Sequence, residues 1–468
     1  MKNRALALML LVLPGVVTLQ AGDRTNIRGV GMARTMNASA FGTDALGINP
    51  ANLAVYDRGS FRLVLSPVGF AIRSDLISYD IYQNYFTGVP GPNGTRVAKY
   101  LSAADQQDIL SRLPDIGSTM FEMEDMWLGV SFRHPVIGGI GFSITDRMGW
   151  RLTLPKDYFR LFQGLDVNGT TYDFSGTGFS AWWYREYNIS YGREIPVPIP
   201  AVRHLYAGVG VKILRGYGAL VTDYYRSKFG NVPDPNDPLQ YTLIGNSDFR
   251  ELRSGIDVFD KSKNVNMTPF PDPAGKGTGF DLGISANILG DIHASVSVTD
   301  IGKITWDRNV YETTGKGAVT ITDIASAARD SIRDAFAGQD RALTESFTTA
   351  LPTRLRIGAM VRSGELQFLR WMPGNMMLAA DYTQGFNESL GNTTKPRFSL
   401  GMEYRIIPLL PLRTGISVGG GDKFRWAAGF GLDFYALTLD FATDNFGILF
   451  SPKNFSMASF SFGLGFRI

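Results

Sequence analysis

The chain has 468 residues, no cysteine, and 53 glycines. The lack of cysteine excludes disulfides, thiolate metal sites and a lipid-anchored N-terminal cysteine. Setting aside Lys2 and Arg4 in the leader leaves 44 basic against 43 acidic side chains, a balance that argues against nucleic acid as a partner.

The first predicted element is a secretory signal peptide over 1–21. A basic start (Met1 to Arg4) precedes an apolar run from Ala5 to Leu19 and a small-residue site at Ala21-Gly22. No later apolar run reaches 18 residues, so no helical span is expected. A small, polar, turn-rich segment follows over 22–59, and then strands begin near Ser60.

From 60 to 468 the pattern is alternation. Phe280, Leu282, Ile284 and Ala286 oppose Asp281, Gly283, Ser285 and Asn287. Phe398, Leu400, Met402, Tyr404 and Ile406 oppose Arg397, Ser399, Gly401, Glu403 and Arg405. Tyr435, Leu437, Leu439 and Phe441 oppose Ala436, Thr438 and Asp440. A strand repeats every two residues, so each segment has one apolar face and one small or charged face. Too few helices exist to cover so many apolar faces, which leaves lipid as their solvent. A charge turned to lipid at the midplane costs roughly 2–4 kcal/mol, so the charged face must line a lumen. The predicted fold is all-β: a transmembrane antiparallel barrel of about 14 strands. Expected lumen residues include Arg133, Asp281, Arg354, Arg356, Arg397, Glu403, Arg405 and Asp440. Asp146 and Pro67 break the pattern and suggest bulges.

Long and short connections alternate. Those at about 74–118, 155–177, 217–276 and 302–352 are long; His134–Gly138, Pro196–Pro200 and Asn287–Asp291 are short. Long extracellular loops and short periplasmic turns, with both termini periplasmic, follow. Two long loops carry predicted helices, one capped at Ser102 with Asp105, one starting at Thr322 and ending at Gly338. The closing strand, Ser456 to Ile468, places Phe462, Leu464, Phe466 and Ile468 on its apolar face and resembles the terminal signal read by the barrel-assembly machinery.

No catalytic residue, metal site or cofactor is expected. Gly415-Ile416-Ser417-Val418-Gly419 has nucleophile-elbow spacing but reads as a strand. His134, His204 and His293 lack ligand spacing, and prolines between Asp234, Asn236 and Asp237 favour a turn over a calcium loop.

The element Asp44-Ala45-Leu46-Gly47-Ile48-Asn49-Pro50-Ala51-Asn52-Leu53-Ala54, behind the glycine-bearing stretch Gly29 to Ala33, resembles the FadL/PorV-like superfamily of outer-membrane barrels. The resemblance implies an N-terminal hatch inside a fourteen-stranded barrel, with Asp44, Asn49, Pro50 and Ala51 as its motif. Asn52 departs from the glycine common in the importers of that superfamily. Three functions follow as expectations: passive uptake of hydrophobic small molecules, a scaffold handling a secreted cargo protein as in type IX secretion, or a narrow porin. Outer-membrane lipid and the barrel-assembly machinery are the expected partners of all three.

Overall fold

The computed structural model describes residues 23–57, 59–76, 78–91, 94–162, 170–233, 241–255, 270–288, 292–321, 339–343, 345–364, 373–389, 391–450 and 457–467. The leader, the helix expected at 322–338, the turn at 234–237 and Ile468 lie outside them.

Fourteen of the described strands close a ring. They are β1 (Phe61–Ser74), β2 (Ile116–His134), β3 (Gly138–Pro155), β4 (Gly178–Ile195), β5 (Val202–Tyr225), β6 (Gly275–Ile288), β7 (Ile292–Trp306), β8 (Arg354–Arg362), β9 (Asn375–Gly385), β10 (Arg397–Arg405), β11 (Pro411–Gly419), β12 (Asp422–Phe434), β13 (Leu437–Thr443) and β14 (Met457–Arg467). Each pairs antiparallel with its sequence neighbours, and β14 pairs with β1 from Arg62↔Arg467 to Arg73↔Met457. The structure is a closed antiparallel barrel, so no strand of the ring is a free edge. No described helix is long and apolar enough to cross a membrane.

The two faces separate by parity. On β6, Phe280, Leu282 and Ile284 are exposed outward while Asp281 and Ser285 are buried inward. Outward aromatics form a row across three strands, Phe430 to Phe441 to Phe462, with ring centres 5.1 and 5.0 Å apart.

The two expected irregularities resolve differently. Ser66 takes a left-handed φ of 48°, and the register against β14 shifts between Leu65 and Val68. The extra residue switches parity, so that Val64 and then Gly69, Ala71 and Arg73 turn inward. Asp146 marks no bulge of its own. It stays on the outward register of β3 and is satisfied by Arg185 of β4, Nε–Oδ1 2.6 Å and Nη2–Oδ2 2.7 Å. Trp127 and Phe270 cover that guanidinium at 4.1 and 5.1 Å. The bulge lies beside it, where the β2–β3 register shifts between Met126 and Leu128.

The long connections hold more strand than expected. Beyond the barrel, Lys228–Pro233, Tyr241–Ser254, Val310–Ile321 and Gln339–Leu343 extend the sheet. Tyr241–Ser254 also pairs with the end of β5. These strands carry polar side chains on both faces, Asn246, Asp248 and Arg250 alternating with Ser247, Glu251 and Arg253. No lipid selects one apolar face there, so the alternation that reveals the wall is missing. The helix expected after Ser102 is present as Ala103–Arg112 with its capping box, and it buries Ile109 against Leu76, Ile81 and Leu113 of the same connection.

Candidate functional site

Residues 23–57 form the site. The stretch is rich in glycine, alanine and asparagine, and it builds three short turns. Ile27–Gly31 is one helical turn capped by Asn26, whose side chain accepts the Gly29 N–H at 2.8 Å. Gly42–Ala45 is a 3-10 turn. Pro50–Leu53 is another, with Asn49 as its cap: Asn49 Oδ1 accepts the Ala51 N–H at 3.1 Å, and Pro50 sits where no N–H is needed. Between the first two, Ala33 and Arg34 both take left-handed φ of 54° and 61°. Two consecutive non-glycine residues there store strain, which the surrounding contacts must hold.

The segment touches the wall all the way round. A Cβ on Gly208 or Gly283 of β5 and β6 would strike Ala51 or Asn49. One on Gly401 or Gly415 of β10 and β11 would strike Met32. Gly69 of β1 abuts Arg24, and Gly141 of β3 abuts Leu46. A segment that meets strands on every side of a closed ring lies within it.

Polar contacts fix it there. Asp23 pairs with Arg354 at 3.3 Å and Arg356 at 2.6 Å. Arg24 pairs with Glu122 at 3.0 Å and Asp444 at 3.1 Å, and its N–H donates to Glu124 at 2.8 Å. Arg28 reaches Glu403 at 2.8 Å, and Arg34 reaches Asp444 at 3.1 Å. The N–H groups of Met36 and Asn37 both donate to Asp381 Oδ2 at 2.7 Å. Ser297 Oγ donates to Ile48 O at 2.7 Å, and Ser285 Oγ donates to Asn52 Oδ1.

The expected residues fall into three groups. Asp44, Asn49, Pro50 and Ala51 are in the segment itself; Asn49 is fully buried, and its Nδ2 lies 3.4 Å from Ile284 O. The charged eight all stand on the inward parity. Arg354 and Arg356 meet Asp23, and Arg133 Nε donates to Ala54 O at 2.7 Å. Glu403 is held by Arg405 at 3.0 Å and Arg413 at 2.8 Å, and Asp440 pairs with Arg413. Asp281 pairs with Lys212 at 3.0 Å, away from any arginine of that set. The Arg397 side chain is buried, and its Nε has no acceptor among the described residues. Phe462, Leu464 and Phe466 lie on the outward register of β14, opposite Phe441, Leu439 and Leu437.

Sequence reasoning missed Asp23, Arg24, Arg34, Glu122, Asp381 and Asp444. Glu122 and Asp381 carried the signal, since each opposes an apolar neighbour on its strand. The first three lie in irregular backbone with no parity to read, and Asp444 follows the last residue of β13.

Two cavities flank the segment. One of about 410 Å³ opens at the short-turn end, between Arg28, Asp44 and Asp57 on one side and Glu403, Arg413 and Arg467 on the other. A second, of about 30 Å³, lies between Asp23, Thr25 and Asp44 and the wall at Pro67, Met126 and Arg147. On the loop side of the segment an apolar cluster lines the barrel: Tyr184, Leu214, Ile304, Trp306 and Leu351. Gly415–Gly419 is β11 throughout, so Ser417 sits on no strand-to-helix elbow. Among the described residues no group of three or more His, Asp or Glu is placed to hold a metal.

Among curated proteins none matches the sequence. Among solved structures, the chain is similar to the toluene transporter TbuX of Ralstonia pickettii, with 12% identity, a TM-score of 0.46, and coverage of 95% of this chain and 99% of that one. It is also similar to a FadL homologue of Pseudomonas aeruginosa (12%, TM-score 0.43, coverage 97% and 99%). The toluene transporter TodX of Pseudomonas putida is a third (10%, TM-score 0.42, coverage 97% and 98%). Residues 50–444 match the model of a family described as of unknown function, DUF5723, and the chain belongs to that family.

Proposed function

We propose that the protein is a gated barrel of the Gram-negative outer membrane that admits small hydrophobic molecules passively, with residues 23–57 as the hatch that must move. The observation that carries this reading is how the segment is held. Its contacts are mainly ion pairs, hydrogen bonds and glycine approaches. Exchanging a buried ion pair for water is close to neutral, because desolvation offsets most of the Coulomb gain. Stripping an interlocked apolar core would cost about 25 cal/mol per Å². Where the segment does pack through larger apolar groups, Met32 and Phe41 meet Met360 and Met377, and methionine adapts to a shifting neighbour. The flanking cavities give the segment somewhere to go, and the cluster around Trp306 offers apolar surface on the loop side. The short turns and both chain termini then face the periplasm.

A second reading, a sealed scaffold for a secreted cargo protein, is favoured by one observation: the sheet continues past the barrel mouth as a strand-built platform.

Deleting 24–54 separates the two. The segment supplies no ladder pair of the wall, so the barrel should keep its heat-modifiable gel mobility. The gated reading expects a higher ion conductance in planar bilayers and faster entry of a hydrophobic fluorescent probe into cells. A folded deletion protein with parental conductance and probe entry would sink the gate and leave the scaffold.

A further inference from the structure

The outer face of the wall changes character toward the loop end of β5, β6 and β7. Parity fixes which residues stand there. On β5, Lys212 and Leu214 are buried inward, so Val209, Val211, Ile213 and then Arg215 face out. On β6, Asp281 and Ser285 are inward, so Leu282, Phe280, Thr278 and then Lys276 face out. On β7 the parity switches at Asp300, which takes a left-handed φ of 60° where the register against β6 shifts. Beyond it Ile304 and Trp306 are buried inward, which leaves Ile301 and then Lys303 outward. Each of the three apolar faces thus ends in a basic residue on its loop side. Lys276 and Lys303 are exposed, and Arg215 is half-buried.

The three cations are neighbours. Arg215 and Lys276 stand directly opposite each other in the β5–β6 register. Lys276 opposes Thr305 and Lys303 opposes Thr278, so the two lysines are one diagonal step apart. Side chains placed in this way start about 5–8 Å from each other, within reach of a common group. Like charges directly opposite repel, and their own face supplies no relief. From Leu205 to Arg215, Lys276 to Ala286 and Ala294 to Lys303 the outward positions hold no Asp or Glu, and Asp300 is turned inward to Lys212. Along the same row, Asp146 of β3 is engaged at both oxygens by Arg185 of β4.

We propose that Arg215, Lys276 and Lys303 bind the head group of a membrane lipid that carries a phosphate monoester. Continuity with the lipid-facing wall identifies the occupant. A bound lipid lays its acyl chains on the exposed Val211, Ile213, Phe280 and Leu282 and its phosphate among the three cations; a soluble anion leaves that apolar surface unused. The arginine fork matches two phosphate oxygens, and the lysines add point charges on stems that run along apolar surface. Basic clusters at the edge of a membrane-spanning surface hold anionic lipid by this means. Which leaflet the site lies in rests on the orientation proposed above; the binding itself does not, nor does it depend on whether the hatch moves.

The purified protein in a neutral detergent tests it. Phosphatidic acid is added at graded mole fraction, and native mass spectrometry reads the fraction of protein that retains a lipid; phosphatidylcholine is the zwitterionic control. Saturable retention of phosphatidic acid is expected at a mole fraction at least tenfold below that for phosphatidylcholine. Arg215→Gln, Lys276→Gln and Lys303→Gln should each raise the half-saturating fraction about fivefold. The triple variant should bring it to the phosphatidylcholine value while keeping heat-modifiable mobility; if the triple variant fails to assemble, the single ones decide. Arg203→Gln, in the short turn that leads into β5, should change nothing. Equal retention of the two lipids, unchanged retention in the variants, an equal loss in Arg203→Gln, or displacement of the lipid by an equal concentration of inorganic phosphate would overturn the assignment.

Discussion

The two ends of the lumen handle charge in opposite ways. At the short-turn end every oxygen of the central carboxylates is used. Glu403 Oε2 takes Arg28 and Arg413 while Oε1 takes Arg405; Asp433 Oδ2 takes Arg405 while Oδ1 takes Arg467. From β10 to β14 the cations Arg405, Arg413 and Arg467 each meet an anion. At the loop end, Asp444 crowds three arginines onto one oxygen and leaves the other bare. A closed alternating network is a finished structure, because each desolvated charge meets its opposite. The difference separates a network that ties the inner segment to the wall through every oxygen from one that leaves an oxygen bare.

The largest effect expected from breaking this contrast is at Glu403. Glu403→Ala leaves Arg28, Arg405 and Arg413 without their common acceptor. Removing one partner of a buried pair costs about 3–5 kcal/mol. The temperature at which the heat-modifiable band disappears should fall steeply. Asp444→Asn removes the corresponding acceptor at the loop end. Its loss should be smaller than that of Glu403→Ala, because only one oxygen of Asp444 is engaged and the amide keeps an oxygen there. An equal loss in the two variants would erase the distinction between the ends.

A smaller effect is expected on the seam between hatch and wall. Gly283→Val introduces a Cβ into the space of Asn49, which caps the Pro50–Leu53 turn. Losing that cap and its contact with Ile284 costs about 1–2 kcal/mol. The barrel should assemble, with a conductance above the parent and below that of the 24–54 deletion. A parental conductance in the assembled variant would mean that the turn yields without loosening the hatch.

The wall was legible in the sequence because lipid imposes a rule on every second residue. Strands such as Phe398–Tyr404 and Phe462–Phe466 announced both their conformation and their facing. The Ser66–Pro67 bulge was legible for the same reason, since proline interrupts a regular pattern. The strands beyond the mouth were not, because water on both faces imposes no rule; Tyr241–Ser254 therefore read as loop. Parity put the charged side chains of the strands on one face, but it did not give their pairing. Arg354 and Arg356 meet Asp23, a residue more than 300 positions away in irregular backbone. Parity tells which way a side chain points and says nothing about what stands opposite. Arg397, whose Nε has no acceptor among the described residues, looked the same as its paired neighbours in the sequence.

The smallest expected effect lies outside both networks, at the rim. Asp75 follows the last residue of β1, and its Oδ1 accepts the Ser118 N–H at 2.8 Å. Burial pushes this carboxyl up to about 6, against the lowering effects of Ser118 and Arg73. The folded state therefore holds its proton more tightly than the unfolded chain. The stability gained from that proton is fully present below about pH 4 and is lost as pH rises through 6. Asp75→Asn keeps an oxygen for Ser118 and removes the titration. Parent and variant should lose the heat-modifiable form at the same temperature near pH 4. Near pH 8 the variant should hold about 1–2 °C longer. A difference that stays constant from pH 4 to 8 would show that Asp75 is ionised throughout, paired as fully as the carboxylates at the short-turn end. The contrast between paired and unpaired carboxylates would then stop inside the lumen and not reach its rim.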